Sequence, residues 1–382
     1  MKENPLLKVH TFGQSIWLDL LRRGMVASGE LRRLIEEDGL RGMTSNPTIF
    51  DKAIGGSQDY DEAIRLLTLE GKNVAQIYQT LTLEDVQRAA DVFRPLYEQS
   101  QGGDGFVSLE VSPRLAHDSR CTILEARSLW QALERPNVMI KVPGTLEGLP
   151  AIRQLTGEGI NVNVTLLFGL PRYRQVADAY IAGLEARIEQ GQPVHNLASV
   201  ASFFLSRIDV LLDPLLEQLM AAGGATAERA QKLHGQLAIA SAKVAYQIYG
   251  EIFDSGRFRR LVAHGARPQR LLWASTSTKN PAYQDVKYVE PLIGPETVNT
   301  VPLETFDAYR DHGNPASRLQ EGLEEAHNVL RDLPELGIDL DRVTQQLEDE
   351  GVEKFNRSLD ELMETLRKKH AAILAGQSTP VV

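Results

Sequence analysis

The chain has 382 residues, 42% of them apolar and 24% charged, which is enough for a large core in one big domain or two ordinary ones. Its formal net charge of −10 argues against a nucleic-acid partner, which needs a basic face, while leaving room for an anionic small molecule in a locally basic pocket. The single cysteine, Cys121, excludes a disulfide framework within one chain and a zinc cluster built from cysteines.

Taken in chain order, residues 1–10 lack the apolar core of a secretory leader, and no apolar run reaches membrane-spanning length. A cytoplasmic protein with no membrane partner is expected. Short β-rich runs follow at Ile16–Leu20, Gly42–Ser45, Phe106–Val111, Val138–Val142, Ile160–Leu166, Leu197–Ser202, Leu271–Ala274 and Val298–Val301. The stretches between them have helical periodicity, as in Tyr173, Val176, Ala177, Tyr180, Ile181 and Leu184. Val352, Phe355, Leu359, Leu362 and Leu366 repeat it near the C-terminus.

Strands alternating with helices imply βαβ units and a parallel sheet. Eight of them predict an α/β fold of the (β/α)8 TIM-barrel type. One domain over residues 1–382 is expected, with helical insertions near 57–101 and 208–257 and a helical tail over 335–376. The competing architecture is an open doubly wound sheet, but no G-x-G-x-x-G follows the first strand to support it.

Several predicted strands carry polar residues where a sheet covered by helices should be apolar. Alternation puts Asn161, Asn163 and Thr165 on one face of the fifth run, Ser108 and Glu110 on one face of the third, and Lys141 with Met139 on one face of the fourth. With helices outside, these residues point into the barrel, and the C-terminal end of such a barrel is where active sites are built. Lys141 matters most, because it lies within the apolar run Val138–Val142. Burying an ammonium is costly, burial favours the neutral amine, and a neutral amine is the nucleophile that attacks carbonyls.

Each residue also has a plainer explanation. Lys141 is close enough to a strand end to snorkel, and Glu110 could be only its ion-pair partner. Asp19 could cap the following helix or pair with Arg22 or Arg23, and Asn46 precedes a proline, as turn residues do. Arg207, after the sixth run, could pair with Asp209; Lys279, after the seventh, could be a solvated loop lysine. Against these stand the late βα loops of barrel enzymes, where hydroxyls and a cation bind phosphate, as Ser275 with Lys279 would. The eight histidines show no close-spaced pair of metal-ligand type, and no P-loop, serine elbow or EF-hand pattern occurs. No metal and no organic cofactor is expected, and the chemistry falls to side chains.

The motifs Thr44-Ser-Asn-Pro47, Val107-Ser-Leu-Glu-Val111, Met139-Ile-Lys-Val-Pro143, Gly159-Ile-Asn-Val-Asn-Val-Thr-Leu-Leu-Phe168 and Ser202-Phe-Phe-Leu-Ser-Arg-Ile208 resemble those of the transaldolase family, nearest its long bacterial form, over almost the whole chain. That resemblance implies a (β/α)8 barrel with the Schiff-base lysine on the fourth strand, here Lys141. It implies transfer of a dihydroxyacetone unit from a ketose phosphate to an aldose phosphate in the non-oxidative pentose phosphate pathway. By motif, Glu110 corresponds to an acid/base acting through a water held by Thr165, and Asp19 to the acid/base for the C4 hydroxyl. Asn46, Asn163 and Ser202 correspond to groups holding the dihydroxyacetone unit, and Arg207, Ser275 and Lys279 to the phosphate site. The chain departs from the shorter enzymes where Lys279 replaces an arginine, which removes the bidentate fork and leaves Ser277 as an alternative to Ser275.

Two rivals remain. Fructose-6-phosphate aldolase-type lyases of the same superfamily are shorter and carry tyrosine where this chain has Phe204 and glutamine where it has Glu110. A non-catalytic barrel scaffold would need neither a buried lysine nor flanking carboxylates. Small-molecule sugar phosphates are the expected partners, and the chain is expected to be a monomer or a homodimer.

Overall fold

The computed structural model describes residues 4–377. The elements run α1 (Pro5–Thr11), β1 (Gln14–Leu18), α2 (Arg23–Ala27), α3 (Glu30–Asp38), β2 (Gly42–Thr44), α4 (Pro47–Gly56), α5 (Asp61–Leu69), α6 (Val74–Gln99) and β3 (Phe106–Glu110). The middle of the chain adds α7 (Ser119–Leu133), β4 (Val138–Pro143), α8 (Gly148–Glu158), β5 (Val162–Leu167), α9 (Leu170–Glu189) and β6 (Ser199–Phe204). Four helices follow, α10 (Ser206–Ala222), α11 (Gly224–Leu233), α12 (Leu237–Phe253) and α13 (Gly256–Val262), before β7 (Arg270–Ala274) and β8 (Thr297–Val301). The last helices are α14 (Leu303–His312), α15 (Leu323–Asp332) and the 38-residue α16 (Leu340–Gln377).

The eight strands are all parallel and close into a barrel in sequence order, β8 pairing back onto β1. This is the (β/α)8 TIM barrel the alternating pattern predicts. Every strand but the first residue of β7 is buried, because helices cover the outside and side chains fill the inside. Gly42 shows how tight that filling is. A β-carbon there would stand 2.5 Å from Trp17 Cε2, so the absence of a side chain on β2 is what admits the fully buried indole of β1.

All eight strands shift by one to two residues at one end or both, and two of these shifts bear on the site. β1 runs from Gln14 to Leu18, so Asp19 stands just past the strand, its N–H still bonded to Val301 O at 2.8 Å. β5 begins at Val162, so Asn161 precedes the strand. Its Nδ2 donates to the carbonyls of Pro136 and Val138, and its Oδ1 accepts from Ala198 N–H at 2.9 Å. Asn161 therefore ties strand beginnings together at the N-terminal end of the barrel. It does not join Asn163 and Thr165 near the mouth, as the alternation had predicted.

β5 also breaks its own alternation. Leu166 has φ +60°, and the β5–β6 register shifts between Val164 and Leu167. A branched residue in the left-handed region costs about 1–3 kcal/mol, and such bulges recur beside active sites. Among the described residues no helix is long and apolar enough to cross a membrane.

Candidate active site

The strand register brings the polar set together. Glu110 on β3 lies beside Lys141 on β4, and Lys141 beside Asn163 on β5. Lys141 is 4% exposed and Glu110 7%, so the amine sits deep in the barrel, without the solvent contact that snorkelling requires. Lys141 Nζ lies 3.5 Å from Glu110 Oε2 and donates to Ser45 O at 3.3 Å, both long contacts. Burial pushes the Glu110 carboxyl up to about 7, even though the nearby Lys141 charge pulls the other way. Glu110 can therefore hold or release a proton near neutrality.

Polar chains flank this pair. Ser202 Oγ donates to Asn163 Oδ1 at 2.7 Å, and Asn163 Nδ2 donates to Ser108 Oγ at 3.0 Å, which fixes the amide's orientation. On the other side Thr44 Oγ1 donates to Asp19 Oδ1 at 2.6 Å and accepts from Thr300 Oγ1 at 2.8 Å. Asp19 is thus held by Thr44, while Arg22 pairs with Glu30 and Arg23 with Asp85 and Glu84. Both Glu110 oxygens and Thr165 Oγ1 are buried without a hydrogen-bond partner among the described residues, although most buried polar atoms are satisfied.

Above the pair a cavity of about 1120 Å³ opens at the C-terminal end of the strands. Asp19, Asn46, Lys141, Ser202 and Phe204 reach its wall, as do Arg207, Ser275 and Lys279; Glu110, Asn163 and Thr165 do not. Asn46 caps α4, accepting from Ile49 N–H at 3.0 Å ahead of Pro47 at the first helical position, and also faces the cavity. The structural and functional expectations for Asn46 are therefore compatible.

Arg207 stacks between two rings, its Cζ 5.2 Å from the Phe204 centroid and 5.9 Å from that of Phe355. It does not pair with Asp209, which instead takes Lys287 at 3.2 Å, the Tyr288 hydroxyl at 2.8 Å and Ala238 N–H. At the end of β7, Ser275 adopts φ +53° and its hydroxyl meets that of Ser206 at 2.9 Å. Lys279 donates to the Ser277 hydroxyl. Both serines line the cavity, so the two alternatives sit at the same rim.

The sequence pattern missed the roof. Leu347, Lys354, Phe355 and Arg357 of α16 line the cavity, and the Phe355 ring lies 5.9 Å from Lys141 Nζ. The helical stripe containing Phe355 was visible in the sequence, but nothing in a stripe says which surface it will cover. Thr44 and Thr300, which hold Asp19, were legible only as strand-end hydroxyls.

A closed parallel barrel with a buried lysine beside a carboxyl, under a polar cavity at the C-terminal end of its strands, has the architecture of a barrel enzyme. Residues 16–366 match the family model described as Transaldolase/Fructose-6-phosphate aldolase, and the chain belongs to that family. It is 48% identical over 373 residues to a transaldolase of Trichodesmium erythraeum (strain IMS101), covering 97% of this chain and 98% of that one. A transaldolase of Saccharopolyspora erythraea is 48% identical over 358 residues, covering 94% and 95%. "Transaldolase 2" of Nostoc sp. (strain PCC 7120 / SAG 25.82 / UTEX 2576) is 47% identical over 374 residues, covering 97% and 98%.

Proposed function

We propose that the protein is a transaldolase, a transferase that moves a dihydroxyacetone unit from sedoheptulose 7-phosphate or fructose 6-phosphate to glyceraldehyde 3-phosphate or erythrose 4-phosphate. It would act through a Schiff base on Lys141, in the cytoplasm, within the non-oxidative pentose phosphate pathway. The observation that carries this is the setting of Lys141: buried, 3.5 Å from a carboxyl that titrates near neutrality, beneath a cavity large enough for a sugar phosphate.

The steps use the residues where they stand. The Lys141 amine adds to the C2 carbonyl of the ketose, and loss of water yields an iminium. Glu110 delivers and removes the protons through a water held with Thr165. The unpartnered oxygens of those two residues support that role. Asp19, steadied by Thr44, takes the C4 hydroxyl proton as the C3–C4 bond breaks, and the iminium accepts the electron pair as an enamine. Such proton transfers each contribute roughly 10²–10⁴-fold. Asn163 and Ser202, locked to each other, and Asn46 hold the retained three carbons. The enamine then attacks the aldehyde of the acceptor, Asp19 returns its proton, and water releases the product from Lys141. Arg207, Ser275 and Lys279 hold the phosphate.

The test is borohydride reduction in the presence of fructose 6-phosphate, with the adduct mapped by mass spectrometry. A covalent adduct on Lys141 is expected. No adduct, or one on another lysine, would defeat the mechanism. Rapid release of free dihydroxyacetone from fructose 6-phosphate without acceptor would make the enzyme a lyase. Phe204 and Glu110, at positions where the lyases resemble this chain with tyrosine and glutamine, favour transfer.

A further inference from the structure

Five cations face the cavity or its rim without a carboxylate partner: Lys52 on α4, Arg207 on α10, Lys279 after β7, and Lys354 and Arg357 on α16. None forms an ion pair among the described residues, in a chain whose other arginines and lysines pair widely. Glu350 and Glu353 stand at the same cavity without an ion pair to any of the five, although the Glu350 charge, with those of Asp19 and Glu110, acts on Arg207. Arg207 is the most buried of the five, with its charge partly offset by Asp19, Glu110 and Glu350, while Lys52, Lys279, Lys354 and Arg357 are more exposed around the cavity, where their unpaired donors are free to meet an anion.

Lys354 joins this group from α16, the helix whose Leu347, Phe355 and Arg357 line the same cavity. Burial first, and then the charges of Arg207, Lys279, Lys52 and Arg357, all press its ammonium below the ordinary lysine range. All four line the same cavity as Lys354. Lys354 arrives from a different part of the chain than Arg207 and Lys279, because α16 crosses the barrel mouth. Gly351, one turn before it, lets the helix come down onto the rim. A β-carbon at 351 would stand 3.0 Å from Leu166 Cδ2 and 3.4 Å from Arg207 Nη1.

We infer that Lys354 is a phosphate-binding residue of the substrate site, so that the phosphate is gripped between the barrel loops and the last helix. This rests on the transaldolase reading above and extends it to a residue outside the barrel. It also offers a physical answer to Lys279: a point charge in place of a guanidinium fork loses directional grip, and a second ammonium from the opposite side restores neutralisation.

The experiment compares wild type with Lys354→Gln and Lys354→Arg in three measurements: binding of inorganic phosphate by calorimetry, KM for fructose 6-phosphate, and borohydride trapping of unphosphorylated dihydroxyacetone on Lys141. Lys354→Gln should weaken phosphate binding and raise KM about tenfold or more, as expected for a lost charged hydrogen bond. Its trapping of dihydroxyacetone should match wild type, and Lys354→Arg should recover most of the loss. Equal phosphate binding by wild type and Lys354→Gln would overturn the inference. So would a parallel fall in dihydroxyacetone trapping, which would mark Lys354 as structural. A wild type that traps nothing on Lys141 would defeat the Schiff-base reading instead, while the phosphate comparison would still decide the role of Lys354.

Discussion

Lys141 and Glu110 are buried together, yet 3.5 Å separates Nζ from Oε2, more than the roughly 2.7–2.9 Å of a charge-assisted hydrogen bond. Glu110 is close enough to feel the lysine's charge, and the contact is too loose to be locked as a structural salt bridge. Replacing Lys141 by Met removes the charge that holds the Glu110 carboxyl down, so that group should rise further and stay neutral at pH 7. A neutral carboxyl avoids the cost of an orphaned buried charge. Lys141→Met should therefore fold at pH 7, by circular dichroism, and give no borohydride adduct. Loss of folding would mark Lys141 as structural.

Glu110 carries a pH signature. Its carboxyl titrates near 7 when folded, against an ordinary value of 4.5, so between those limits the folded protein keeps a proton that the unfolded chain has released. Stability from this group is complete below about 4.5 and lost as pH rises through 7. Wild type should lose thermal stability between pH 5 and pH 8, and Glu110→Gln should lose less. The same substitution should lower kcat about 10²–10⁴-fold and remove the limb of the pH–rate profile near 7. A limb that survives in Glu110→Gln assigns it to another group.

Phe355 lines the cavity 5.9 Å from Lys141 Nζ and 5.9 Å from Arg207 Cζ. Phe355→Ala should cost about 3–5 kcal/mol of stability, since the ring is 3% exposed. It should also admit water to the enamine, raising release of free dihydroxyacetone relative to transfer. Assay of both products from fructose 6-phosphate with erythrose-type acceptor present gives the ratio. An unchanged ratio would confine Phe355 to packing.

Gly351→Ala improves helix propensity by about 0.5–1 kcal/mol yet pushes a methyl toward Leu166 and Arg207. The helix must lift by a few tenths of an ångström or Leu166 must turn. The expected result is a melting temperature near that of wild type with KM for phosphorylated substrates raised several-fold. Gly351→Val should do both harms at once. A Gly351→Ala enzyme with normal KM would show that the rim yields freely.

The sequence was legible where one physical rule governed. Val138–Val142 had to be a buried strand, so Lys141 inside it was conspicuous, and the spacing of eight such runs made the barrel. It misled where two rules competed. Strict alternation placed Asn161 with Asn163, but Asn161 lies before β5 and binds the backbone at the starts of both neighbouring strands, β4 and β6. Leu166 leaves the alternation through a left-handed residue that no propensity announces. The stripe through Phe355 was recognised as a buried face, while its destination depended on long-range packing against a barrel rim that only the folded chain possesses.

The residues around the cavity span Asp19 to Arg357, the latter on a helix made after all eight strands. A chain emerging from the ribosome can thus close its barrel before its roof exists. Through that interval the amine of Lys141 faces an open mouth, with neither the ring that shuts out water nor the ammonium that would select a phosphorylated sugar. The last helix is held there by its own packing on α4, α5 and α6, so the cavity gains this wall only once those contacts form.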